Sequence, residues 1–126
     1  MNLLPKIFLV IAATNGMVAV ILGAFGAHAL KARLDENALA VWHTAVQYHF
    51  VHTLALFALS ILMQQNARSG ALTASAVLFT LGLLFFSGSL YLLALGGPRW
   101  LGPITPLGGA FFIAAWASLL VYALSR

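Results

Sequence analysis

The sequence predicts an all-α integral membrane protein, with four transmembrane helices in a compact bundle joined by short loops. Three observations predict it. Only 6% of the 126 residues are charged and 63% are hydrophobic, whereas a soluble domain carries roughly 25% charged residues. Such a chain cannot cover a water-facing surface, so its solvent is lipid. A bilayer takes about 20 apolar residues to cross, and the chain divides into four stretches of that kind: about 7–30, 44–64, 72–95 and 105–124. Polar or Gly/Pro-rich turns at 31–36, 64–70 and 96–104 separate them. The whole of 1–126 reads as a single four-span domain without a linker.

Composition also excludes. The chain has no cysteine, which removes disulfides, thiolate nucleophiles and cysteine metal sites. Its net charge of +4 comes from six basic residues against two acidic ones. These are scattered, so nothing could track a phosphate backbone and no nucleic-acid partner is expected. They suit lipid head groups instead.

Span one covers about 7–30, after Pro5 and Lys6. A cleavable signal peptide competes with this reading, because Ala27-His28-Ala29 mimics a cleavage site. The apolar run exceeds the 7–15 residues usual for a signal, which favours a retained span. Ala12, Gly16, Ala19, Gly23 and Gly26 or Ala27 recur every three or four residues, a stripe that lets a neighbouring helix approach closely. Asn15 is the lone strongly polar residue mid-span and is expected to hydrogen-bond a neighbouring helix.

Asp35 is a candidate N-cap for span two, since its carboxylate can accept from free backbone N–H groups. The helix can run unbroken from Glu36 to Gln65. About 30 residues at 1.5 Å each exceed the roughly 30 Å hydrocarbon core. The first turns, through Thr44, are therefore expected in the interface, with Trp42 as a head-group anchor. At about 100° per residue, Trp42, Ala45, His49, His52, Thr53 and Leu56 share one face, and His43 and Gln47 lie opposite.

Span three covers about 72–95, with Thr80, Leu84, Ser87 and Tyr91 on one stripe. The turn after it places Arg99 and Trp100 at head-group depth. Span four is expected to open with Thr105 as N-cap and Pro106 at the first helical position, and to end near Leu124 with Tyr122 at the interface. Both termini then share one side. That side holds Lys6, Arg68 and Arg126, and the other holds Lys31, Arg33 and Arg99. Three against three does not orient the protein by the positive-inside rule. The free amino terminus tips the termini toward the cytoplasm.

Threading the spans gathers the polar residues in one leaflet. A cluster of His28, His52, Ser87 and Tyr91 is expected, with Gly88, Gly108 and Gly109 allowing close approach, because polar groups in lipid must pair within the protein. A metal or haem reading would use His28, His49 and His52, as imidazole is a common metal ligand. No carboxylate lies within the spans to orient or compensate a metal, so no metal or other cofactor is expected. Nothing resembles a strained serine nucleophile turn, so no catalytic residue or enzyme activity is expected. A permease would need to oligomerise and lacks the in-span carboxylate or lysine that proton-coupled carriers use.

Gly23-Ala24-Phe25-Gly26-Ala27-His28, Tyr48 with His52-Thr53-Leu54-Ala55, Phe86-Ser87-Gly88-Ser89-Leu90-Tyr91 and Thr105-Pro106-Leu107-Gly108-Gly109 closely resemble the YgdD-like family. This is a family of small bacterial inner-membrane proteins classed as a domain of unknown function, with a similar vertebrate branch. The resemblance covers nearly the whole chain. It implies a four-helix protein of the bacterial inner membrane and no established reaction. His28, Tyr48, His52, Ser87, Ser89, Tyr91, Thr105 and Pro106 match the family pattern and are its implied shared site. The resemblance also implies frequent glutamine at the position of His49. Together these readings point to a non-enzymatic accessory or scaffold protein, or one that binds lipid or a small ligand. It would associate with itself or with a larger membrane complex. A histidine-based metal or haem site and an oligomeric permease are the alternatives.

Overall fold

The fold is described from a computed structural model covering residues 2–66 and 68–125. Arg126, one of the basic residues on the side of the termini, and Ala67 of the polar turn lie outside the described residues. Helix α1 spans Leu3–Phe25 and continues through a π-helical turn, Gly26–Leu30. It begins earlier than residue 7, with Pro5 in the first turn, where a missing N–H has no intrahelical acceptor to lose. Helix α2 spans Glu36–Gln65. The Asp35 carboxylate accepts from the Ala38 N–H at 2.7 Å, the cap its position predicts.

Span three is composite. Helix α3 (Gly70–Gly82) is capped by Ser69, whose Oγ accepts from the Leu72 N–H at 3.2 Å. A second π-helical turn, Leu83–Ser87, leads into α4, Gly88–Ala94. This turn corrects the expected stripe. It inserts a residue into the α-helical count, so Ser87 and Tyr91 are buried while Leu84 is 63% exposed. Helix α4 ends in a Schellman motif. Gly97 N–H donates to Leu92 C=O at 2.8 Å and Gly96 N–H to Leu93 C=O at 3.1 Å. Gly96 has φ +91°, which a side chain would oppose.

After a 3₁₀ turn at Arg99–Leu101, helix α5 covers Ile104–Leu124. Thr105 is not its N-cap. Pro103 precedes the helix with φ −67° and ψ −20°, so Thr105 falls inside the first turn and its hydroxyl turns toward Ser89. Pro103 and Pro106 both sit where an N–H would have no intrahelical partner.

All four spans, Leu3–Leu30, Glu36–Gln65, Gly70–Ala94 and Arg99–Leu124, are long and apolar enough to cross a membrane. Helix α1 packs on α2, α2 on span three, and span three on α5. The small stripe of α1 faces α2 within the chain. Gly16 meets Thr53, Gly23 meets Val46 and Gly26 meets Trp42, with Ala12 and Ala19 buried on the same stripe. One apolar cluster joins Phe8 and Ala12 to Leu56, Leu59, Phe79 and Phe112, and a second centres on Trp42, Ala45 and Tyr91.

Trp42 corrects a second expectation. It is not a surface anchor but 2% exposed, edge-on to Tyr91 at 4.7 Å. Its indole N–H donates to Leu22 C=O at 3.0 Å. The cause is α2's own geometry, which puts Trp42 on the face of Ala45 and His49, together with the absent side chain at Gly26. A Cβ on Gly26 would overlap the Trp42 indole. Gly26→Ala is expected to turn the indole out of its bond and to destabilise the bundle by about 2 kcal/mol. Denaturation in mixed micelles, followed by tryptophan emission, reads that loss; an unchanged midpoint would show that the indole re-seats freely.

Candidate functional site: two histidines at the centre of the bundle

His49 and His52 share a face of α2, but their rings diverge. His49 reaches toward α1 and α4. Its Nε2 lies 2.9 Å from Asn15 Oδ1, and its Nδ1 lies 2.9 Å from the Tyr91 hydroxyl. The partners fix the tautomer. Asn15 Nδ2–H donates to Ile11 C=O at 2.9 Å, so Asn15 Oδ1 is the atom facing His49, and it can only accept. His49 therefore donates from Nε2, and its bare Nδ1 accepts from Tyr91. The result is a directed chain, Tyr91 to His49 to Asn15 to Ile11 C=O, tying α4, α2 and α1 together.

His52 carries the opposite tautomer. Trp116 Nε1 is a donor only, so His52 Nε2 accepts from it, at 3.1 Å. His52 Nδ1–H then donates to Tyr48 C=O at 2.9 Å. The ring stacks on Phe112, with centroids 3.7 Å apart and planes 11° apart. Tyr48 lies beside it, with centroids 5.7 Å apart and planes 12° apart, and Phe79 and Trp116 flank the ring.

The hydroxyls pair separately. Ser87 Oγ donates to Ala45 C=O at 3.0 Å, and Ser75 Oγ donates to Ala115 C=O at 2.8 Å. Ser89 and Thr105 meet at 2.6 Å. Each hydroxyl also has a main-chain acceptor, Phe86 C=O at 3.0 Å for Ser89 and Leu101 C=O at 3.5 Å for Thr105, so either can donate to the other. Thr53 Oγ1 is the one buried side-chain oxygen or nitrogen among the described residues without a hydrogen-bond partner.

The expected cluster of His28, His52, Ser87 and Tyr91 is thus split. His28 is exposed, because it lies about half a turn round from Gly26, which faces α2. His52 joins Trp116 and Tyr48, Tyr91 joins His49, and Ser87 joins the α2 backbone. Tyr48 itself is 40% exposed. The His28, His49 and His52 set for a metal is not assembled, and no group of three His, Cys, Asp or Glu gathers among the described residues. Both ring nitrogens of His49 and of His52 already face protein partners. Arg99 and Trp100 stand exposed on the 3₁₀ turn, Trp100 at 66%. Trp116 escaped sequence reasoning, although it stands four residues after Phe112, one turn along the same face.

Beside the His49 chain, a groove of about 340 Å³ runs between α1 and span three. Asn15, His49, Thr80 and Tyr91 line it among apolar side chains. Val18 and Leu84, also in its lining, are exposed and open it to the membrane. Thr80 donates to Ala76 C=O at 2.8 Å. The groove is left with the second N–H of Asn15 as a donor and the hydroxyl oxygens of Thr80 and Tyr91 as acceptors.

Four apolar spans around a core of paired neutral polar groups define a multi-pass integral membrane protein. The family described as "Protein of unknown function (DUF423)" matches residues 22–109, and the chain belongs to it. The chain is 44% identical to the UPF0382 membrane protein YwdK of Bacillus subtilis, over 94% of this chain and 96% of that protein. It is 42% identical to the UPF0382 membrane protein SSP2132 of Staphylococcus saprophyticus, over 92% and 95%. It is 40% identical to the UPF0382 inner membrane protein YgdD of Escherichia coli, over 94% and 90%. No solved structure matches the chain.

Proposed function

We propose that the protein is a non-enzymatic membrane protein that takes a neutral amphiphile from the bilayer into the groove between α1 and span three. The observation that carries this reading is a polar floor at mid-span, inside an apolar groove that opens sideways. Asn15 and His49 lie near the middles of Leu3–Leu30 and Glu36–Gln65, so the floor sits deep in the hydrocarbon. No Lys, Arg, Asp or Glu lines the groove. A charged head group there would be unpaired and costly, whereas a hydroxyl or carbonyl would find the Asn15 N–H and the Thr80 and Tyr91 oxygens. The volume is at the low end for ligand pockets, roughly 300–1,000 Å³. It holds the polar end and the first part of an apolar chain. The non-enzymatic part is supported by the hydroxyls of Ser75 and Ser87, which are both committed to backbone carbonyls.

The test uses vesicles carrying either a diazirine-bearing diacylglycerol or a diazirine-bearing phosphatidylcholine. After illumination, the neutral probe is expected to label peptides around residues 18–22 and 84–91 several-fold more strongly, with labelling lost in Asn15→Leu. Equal labelling by both probes, unchanged in that variant, removes the proposal.

A further inference from the structure

The outer face of α2 carries a polar group with no partner. Gln47 is exposed, and no hydrogen bond is made by its carboxamide among the described residues. Its depth is set by the helix register. Gly23 meets Val46 and Gly26 meets Trp42, so Gln47 stands level with about residue 22 of the Leu3–Leu30 span. That is on the order of 10 Å inside the end of the span, at 1.5 Å per residue. Centred on a roughly 30 Å hydrocarbon core, this 28-residue span overshoots by about 6 Å at each end. The Gln47 carboxamide therefore lies roughly 6 Å inside the core, where it is poorly hydrated, and an unsatisfied amide in hydrocarbon costs several kcal/mol.

The seam around it has the shape of a helix-packing surface. Ala40, Thr44, Gln47, Val51, Leu54, Ala58 and Ile61 alternate at spacings of four and three along α2, and all are exposed. Any helix face offers such spacing. What marks this one is its content: a single amide at Gln47, with the small residues Ala40 and Thr44 before it and Ala58 after it, and Val51 and Leu54 between. That is the composition of a coiled-coil seam in which one buried polar residue fixes the register, and small residues permit close approach in lipid.

From this we infer that the α2 seam joins two copies of the chain about a two-fold axis along the membrane normal. Copies inserted in one orientation present Gln47 at the same depth. A carboxamide is self-complementary, with a donor and an acceptor side by side. Each Gln47 therefore donates to the other across the axis, and the contact is isologous and closed. No other residue exposed on this seam at that depth offers both a donor and an acceptor that its own helix leaves unused, since Thr44 Oγ1 donates to Ala40 C=O at 3.1 Å. The surface lies on the side of α2 away from His49, so it is independent of the amphiphile groove.

The chain has no cysteine, so single cysteines report the contact cleanly. Full-length variants Thr44→Cys, Gln47→Cys, Val51→Cys and Leu54→Cys are oxidised in membranes beside Val20→Cys on α1 and Ile113→Cys on α5. The seam positions are expected to cross-link to dimer and the two controls to remain monomeric. Gln47→Leu is exposed and should fold. By single-molecule photobleaching in lipid vesicles it is expected to associate about tenfold more weakly, for two lost interhelical hydrogen bonds. Cross-linking that is as strong at residues 20 and 113, or wild-type chains that bleach in single steps at all densities, overturns the inference and leaves the face to lipid or another protein.

Discussion

Gly108→Ala is expected to be the most disruptive conservative change in the protein. An added Cβ would overlap the backbone N of Phe86 and lie 2.6 Å from the carbonyl carbon of Phe85. These are main-chain atoms of the π-helical turn in span three, and no rotamer can move them aside. Helix α5 must separate from span three, loosening the Gly82–Phe112 contact and the Ser75 bond to Ala115 C=O. Overpacking costs typically 1–3 kcal/mol and more where the backbone itself must shift, so a loss of about 3 kcal/mol is expected. Gly109→Ala is the control, because its Cβ would meet the Phe86 ring at an ordinary 3.7 Å. Equilibrium unfolding in mixed micelles should separate the two variants widely. Equal midpoints would show that α5 is free to slide on span three.

His52→Ala is expected to have the next largest effect. It removes a ring stacked on Phe112, leaves a cavity among Tyr48, Phe79 and Trp116, and strands the Trp116 N–H. Aromatic-to-alanine changes in cores cost 3–5 kcal/mol, and about 3 kcal/mol is expected here. His52→Phe separates the causes. It keeps the stack and loses the Trp116 bond and the Nδ1–H bond to Tyr48 C=O, at a cost of about 1 kcal/mol, since interhelical hydrogen bonds in membranes average about 0.6 and the Tyr48 carbonyl keeps its main-chain helical bond. The pair is compared by unfolding midpoint, with elemental analysis of the same preparations. If the alanine variant keeps its stability but loses a stoichiometric metal, the histidine is a ligand and the packing account fails.

Much of this site is legible in residue spacing along single helices. The buried face of α2 is one case. A period of 3.6 puts Trp42, Ala45, His49, His52, Thr53 and Leu56 on one side, and all six are buried. Asn15 is another, since a mid-span amide must find a partner across a helix boundary. Spacing says nothing about which partner. It offers His49 as a metal ligand, whereas in the fold His49 is the middle of a Tyr91–His49–Asn15 chain. It offers Trp42 as an anchor because the residue stands near the end of a long helix, and no count along one helix reveals a vacancy at Gly26 on another.

By itself, then, the sequence determined the four apolar spans, the Asp35 cap, the Gly96 turn region and the buried face of α2. These rest on properties local to the chain: hydropathy over about 20 residues, capping chemistry and helical periodicity. Only the tertiary structure decided the pairings. The two π-helical turns, at Gly26–Leu30 and Leu83–Ser87, each rotate the next residues of the span relative to an unbroken α-helix. The second carries Leu84 out and Tyr91 in, whereas His28 faces outward because it lies half a turn from Gly26. Which polar group meets which depends on those rotations and on where a missing Cβ at Gly26, Gly82 or Gly108 lets two helices close, and both are set by the packing of the whole bundle.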